Sequence, residues 1–329
     1  MIWTIQYLRF FACFMVVIYH ITRKVYLDDG SGYMYFGDVG VDIFFVISGF
    51  IMSYISNKKE SDFVVFIKNR VIRIYPIYIV TLIPFIAIYI LFPHLVNSHG
   101  ETPSIIKSIT LFPFIDGGYI NMVAWTLSFE FYFYFIFAIS LAVSKKPIEV
   151  SSFMIILLLI VGIIFNVDFI NSPMILEFVA GMWVYQLLYA NKKMLSTWMS
   201  VFIIVIGASL IITPMDGQII GLGFDRILHY GIPSVMIFIG FLGLNNIIGD
   251  IKLLTFLGNA SYSIYLTHII TINAVYFIYK VVSPQREYYL AMIFVASVCS
   301  VIVGCFVYRF IETPIINIFK SKNKRYSIA

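Results

Sequence analysis

Apolar residues run in long blocks along this chain, separated by short polar clusters. Ten blocks are long enough to read as helices buried in lipid: 5–25, 39–56, 74–92, 122–143, 150–167, 173–190, 198–214, 228–247, 260–281 and 288–310. A membrane helix needs about 20 apolar residues, so the shorter blocks are expected to extend into their polar flanks. Gly30, Gly32, Pro113, Gly117, Gly118, Pro214, Gly217 and Pro284 punctuate the block ends, as turn residues do. Neither an internal repeat nor a low-complexity linker is visible. The expected fold is all-α, a polytopic transmembrane bundle of about ten helices forming one membrane domain over 1–329.

Composition sharpens this picture. The chain is 61% hydrophobic and only 12% charged, against about 25% charged residues in a soluble domain. Three cysteines, Cys13, Cys299 and Cys305, all lie in apolar blocks, which argues against a disulfide framework. No Cys/His spacing fits a metal site, and none is expected. The first block lacks a basic leader and a cleavage motif, so it reads as a resident helix and not as a signal peptide.

Charge sets the orientation. With the N-terminus in the cytoplasm, the inner flanks hold Arg9, Lys58, Lys59, Lys68, Arg70, Arg73, Lys145, Lys146, Lys192, Lys193, Lys252, Lys320, Lys322, Lys324 and Arg325. The outer flanks hold Arg23, Lys24, Lys107, Arg226, Lys280 and Arg286. Fifteen against six favours this orientation, with both termini cytoplasmic. The net charge of +5 follows those inner loops and is no sign of nucleic-acid binding.

Polar groups inside the blocks carry the chemistry. Arg9 and His20 are eleven residues apart, which returns to nearly the same helix face about 16 Å further along the axis. Ionisable groups at such depth are costly and mark functional sites, and an imidazole near pH 7 is a ready general base. Asp38 and Asp42 are four apart at the outer end of block two, on one face. Asp38 also suits a helix N-terminus, while the deeper Asp42 is placed to fix the tautomer of a nearby His20. Arg70 and Arg73, three apart at the cytoplasmic end of block three, match an anion such as a phosphate, or a lipid headgroup. Glu130 lies among aromatic residues in Trp125-Thr126-Leu127-Ser128-Phe129-Glu130-Phe131-Tyr132. Tyr262, Tyr265 and His268 form a stripe at three-residue steps. Arg309 and Glu312 read as a local i,i+3 pair, and Glu177 as a lone buried carboxylate. No nucleophile elbow, P-loop or dinucleotide fingerprint is present.

Six of these stretches, in order, resemble the acyltransferase-3 family of integral membrane acyl-CoA-dependent transferases. They are Arg9-x10-His20; Gly40-Val41-Asp42-Ile43-Phe44-Phe45-Val46-Ile47-Ser48-Gly49-Phe50; the Arg70/Arg73/Pro76 run; Trp125-Thr126-Leu127-Ser128 with Glu130; Ser261-Tyr262-Ser263-Ile264-Tyr265-Leu266 with His268; and Tyr308-Arg309-Phe310-Ile311-Glu312-Thr313-Pro314. The resemblance implies ten helices in the bacterial inner membrane. It implies transfer of an acyl group, most often acetyl, from cytoplasmic acyl-CoA to a hydroxyl of an extracytoplasmic carbohydrate or lipid-linked glycan. Many members have proline two residues beyond the block-nine histidine, where this chain has Ile270. Some carry an SGNH hydrolase-like domain after the bundle, which is not expected here.

On this reading His20, Arg9, Glu130 and Asp42 form the catalytic set, with Arg70 and Arg73 on the CoA phosphates. Asp38, Trp125, Ser128, Tyr132, Tyr265 and His268 face the acceptor. Direct transfer and a transient acyl-His20 or acyl-Ser128 are both open. The competing class is a proton-coupled sugar or glycan transporter, for which buried His, Glu and Asp would also serve. A structural scaffold explains the inward polar groups poorly.

Overall fold

The computed structural model describes residues 2–29, 35–58, 62–96, 101–212, 223–282 and 288–326. Gly30, Gly32, Lys59, Pro214, Gly217, Pro284 and Arg286 lie outside them, as do the side chains of Lys58, Lys320, Lys322, Lys324 and Arg325. The described residues are all-α. They contain no strand beyond an isolated bridge between Pro103 and Gly118.

Among the described residues, eight helices are long and apolar enough to cross a membrane, and two shorter apolar ones accompany them. In chain order the helices are α1 (Trp3–Asp29), α2 (Val39–Lys58), α3 (Phe63–Leu91), the short polar α4 (Ile105–Thr110), α5 (Trp125–Val143) and α6 (Pro147–Ile164). There follow α7 (Ile175–Tyr189), α8 (Thr197–Ile212), α9 (Phe224–Asn246), α10 (Lys252–Val282) and α11 (Tyr289–Phe319). The ten apolar blocks correspond to α1–α3 and α5–α11.

One departure from the sequence pattern is the start of α3, eleven residues before the expected position. Asp62 caps it, accepting from the Val65 amide at 2.8 Å, which satisfies an orphan donor of the first turn. The cluster Lys68–Arg73 is therefore helical. A hydropathy boundary marks the edge of the apolar layer, and the helix continues through it.

The chain divides into two compact units. The first comprises 1–19, 33–66 and 132–259, the second 20–32, 67–131 and 260–329. In the first unit α2 and α7 touch backbone to backbone. A Cβ on Gly49 would stand 2.0 Å from the Phe178 carbonyl oxygen, and one on Gly181 would stand 2.0 Å from that of Val46. Small residues permit such approach in membranes, where dispersion and not water exclusion drives helix pairing. Phe178 is stacked between Phe45 at 4.4 Å and Phe133 at 4.5 Å. In the second unit Asn121 caps the turn that leads into α5, accepting from the Val123 amide, and its amide nitrogen donates to the Leu266 carbonyl at 3.3 Å. That bond ties the start of α5 to the middle of α10.

Three helices contain a π-turn, at Tyr185–Tyr189, Ile227–Gly231 and Tyr308–Glu312. Two of these precede a proline by two residues, Pro233 and Pro314. A missing proline N–H removes one i→i−4 bond and favours a local change of winding.

Candidate active site

In the second unit His20 of α1 faces His268 of α10, with ring centroids 5.2 Å apart and planes tilted by 44°. His268 is fully buried and His20 partly so. The Nδ1 of His268 lies 2.6 Å from the Tyr265 carbonyl oxygen. A carbonyl only accepts, so Nδ1 carries the proton and Nε2 carries the lone pair. The Tyr265 ring is the next neighbour of His268, at 5.6 Å. Its hydroxyl lies 2.9 Å from Thr126 Oγ1 and 3.3 Å from the Val123 carbonyl oxygen. The tyrosine–histidine stripe seen in the sequence is thus tied to the start of α5.

A second polar group forms around Glu312. Its carboxylate is buried, pairs with Arg73 Nη1 at 3.0 Å and accepts from Ser263 Oγ at 2.6 Å. This corrects the expected Arg309–Glu312 pair. The two residues fall in the π-turn, whose wider winding moves them off a common face, and Arg309 is exposed. Tyr262 donates to the Ile74 carbonyl at 3.0 Å and lies within electrostatic range of Arg73, Glu130 and Glu312. Arg70 and Glu130 are half-buried. Trp125 packs edge-on against Phe129 at 5.9 Å.

Ser128 belongs to an ordered chain of hydrogen bonds. Its hydroxyl donates to the Leu111 carbonyl at 2.8 Å, so Tyr119, 2.7 Å away, must donate to Ser128. Partial burial pushes the Tyr119 phenol up. The Ser128 proton is committed to a carbonyl, which is no general base.

The first unit holds Arg9, Asp38, Asp42 and Tyr132. Arg9 donates from Nη1 to Gln6 Oε1 at 3.1 Å, a contact along its own helix. Tyr132 packs against Phe169 at 5.6 Å. Both oxygens of the buried Asp42 are taken by Arg226, Oδ1 by Nε at 2.9 Å and Oδ2 by Nη2 at 2.7 Å. Asp38 takes Nη1 at 2.6 Å. Arg226 had read as a loop cation, yet it is 1% exposed and is the main partner of both aspartates. Glu177 is not solitary either, since it is buried beside Asp42 and against Gly231. Its fit depends on the absent side chain at Gly231, where a Cβ would stand 3.1 Å from Oε1.

The sequence matches a family described as an acyltransferase domain over residues 2–309. The chain belongs to the acyltransferase-3 family. It is 33% identical over 302 residues to the exopolysaccharide production protein ExoZ of Rhizobium meliloti (strain 1021), covering 85% of this chain and 90% of that protein. A shorter likeness, 28% over 137 residues, links it to the acyltransferase MdmB of Streptomyces mycarofaciens, covering 38% of this chain and 35% of the other. No solved structure matches it. Family membership makes this chain an enzyme, an acyltransferase. Its apolar helices make it a multi-pass membrane protein.

Proposed function

We propose that this enzyme moves an acyl group, acetyl in the first instance, from cytoplasmic acyl-CoA to a hydroxyl of an extracytoplasmic carbohydrate or lipid-linked glycan. The observation that supports this most is an imidazole, His20, held beside a second imidazole within a run of hydroxyl-bearing residues. His20 takes the proton of the acceptor hydroxyl as general base. The acceptor oxygen attacks the thioester carbonyl carbon, the carbon–sulfur bond breaks, and the proton passes to the departing thiolate. The products are an ester and free CoA.

Arg70 and Arg73 would hold the CoA phosphates at the cytoplasmic face. Of the two, Arg73 also serves Glu312. Asp38 and Asp42 would act through Arg226 in shaping the outer end of α2, while Glu130 and Trp125 orient the acceptor. The polysaccharide class of acceptor draws support from the likeness to the Rhizobium exopolysaccharide production protein. Placement in the inner membrane with cytoplasmic termini rests on the Lys and Arg distribution. Direct transfer is favoured over an acyl-serine because Ser128 donates to a carbonyl.

A strain carrying His20→Ala tests the reading, with ester-linked acetate on its surface polysaccharide as the measurement. The expected result is loss of acetate at normal protein level, and wild-type acetate would overturn the assignment. Arg70→Ala is expected to raise the donor concentration needed for half-maximal transfer.

A further inference from the structure

His268 holds a feature that the general-base mechanism does not use. Its Nδ1 is turned back onto its own helix, so Nε2, on the opposite side of the ring, is directed away from that backbone. This Nε2 is buried and has no hydrogen-bond partner. The nearby hydroxyls of α10 do not supply one, because Thr267 donates to the Ser263 carbonyl and Thr271 to that of Thr267. A buried acceptor left open in this way is costly and calls for an occupant.

The sign of the lone pair selects the occupant. A thioester carbonyl and a phosphate are acceptors only, so neither satisfies Nε2, whereas the pantetheine arm between them carries amide N–H groups and a hydroxyl that would. An O–H of the acceptor would too. The proton of the reacting hydroxyl goes to His20, whose ring is 5.2 Å from that of His268. That leaves for Nε2 a different hydroxyl on the same acceptor or a pantetheine N–H, and a rise in KM for acetyl-CoA alone in the phenylalanine variant below marks the second and overturns the first. We infer that His268 is an acceptor-binding residue, taking a hydrogen bond from a hydroxyl that neighbours the one being acylated. The substrate class is a polyol, and the pair of imidazoles fixes which of its adjacent hydroxyls reacts. This inference rests on the acyltransferase reading of His20 and adds regiochemistry to it.

The test uses the full-length enzyme in lipid nanodiscs, labelled acetyl-CoA, and base-deacylated surface polysaccharide of the host strain as acceptor probe. His268→Phe keeps the ring volume and removes the lone pair. His268→Gln restores an acceptor oxygen. The phenylalanine variant is expected to raise KM for the polysaccharide at least about tenfold, with KM for acetyl-CoA unchanged. NMR of its product is expected to show acetate spread over neighbouring ring positions. The glutamine variant is expected to recover the lower KM and the single position. A phenylalanine variant with wild-type KM for the polysaccharide and a single acetylated position would overturn the inference. A merely structural histidine would lower the amount of folded protein without scattering the product. His20→Ala, run in parallel, separates the two readings, because an active His20→Ala enzyme removes the base assignment and leaves the His268 measurements standing by themselves.

Discussion

Arg226 grips Asp42 through two parallel bonds, Nε to Oδ1 and Nη2 to Oδ2, and reaches Asp38 with its remaining Nη1. A planar fork against a carboxylate is the geometry that arginine provides and lysine cannot copy. The Arg226→Ala variant would leave Asp42 buried without its cation, a loss of about 3–5 kcal/mol for a broken buried pair. The expected outcome is a large fall in apparent melting temperature in detergent. Arg226→Lys should recover only part of it.

Glu312 and Arg73 couple the last helix to the third. Arg73→Ala is expected to destabilise the enzyme and to reduce acyl-CoA use together, because one side chain serves both purposes. Adding Glu312→Gln removes the stranded carboxylate and should return stability without returning donor affinity. A double-mutant cycle on melting temperature and on donor KM separates the two effects. Equal recovery of both would show that Arg73 acts only through Glu312.

Ser128→Ala removes a relay and not a nucleophile. Two hydrogen bonds are lost, at a cost of about 1–2 kcal/mol in stability. Acyl transfer should persist, and intact-mass measurement after mixing with acetyl-CoA alone should find no acetyl adduct on wild-type Ser128.

The α2–α7 contact predicts a sharp contrast among glycines. Gly181→Ala and Gly49→Ala each drive a methyl into a backbone carbonyl, an overpacking cost of about 1–3 kcal/mol or more. Gly223→Ala meets nothing within 4 Å and should be silent. Yield of folded protein by size-exclusion fluorescence reads the difference.

Much of this molecule was visible in its sequence because lipid imposes a simple rule. Every backbone group must be satisfied within its own helix, so the apolar blocks translate directly into α1–α3 and α5–α11. What hydropathy could not see was how far a helix runs past the apolar layer, and α3 begins eleven residues before the expected start for that reason. His20 and His268 were both singled out, one by depth and the other by the tyrosine stripe, yet their closeness depends on the packing of α1 against α10. Arg226 was missed because a cation beside a loop reads as a topology signal. The clue lay in Asp42, a buried carboxylate that requires a cation, with few candidates near the outer flank. The partner of Glu312 was misjudged because three-residue spacing assumes α-helical winding, which the π-turn suspends.

One consequence of helix length remains. At about 1.5 Å per residue, the fifteen residues of α7 reach only about 22 Å, short of an apolar layer of about 30 Å. The turn that precedes it carries Phe165, Phe169 and Ile170, side chains suited to sitting below the headgroups. Only Leu187 of the fifteen residues is exposed, so protein and not lipid surrounds most of this short helix. A helix sheltered in this way escapes the usual match to bilayer thickness, and a span too short for lipid is tolerated because its neighbours stand in for the missing turns.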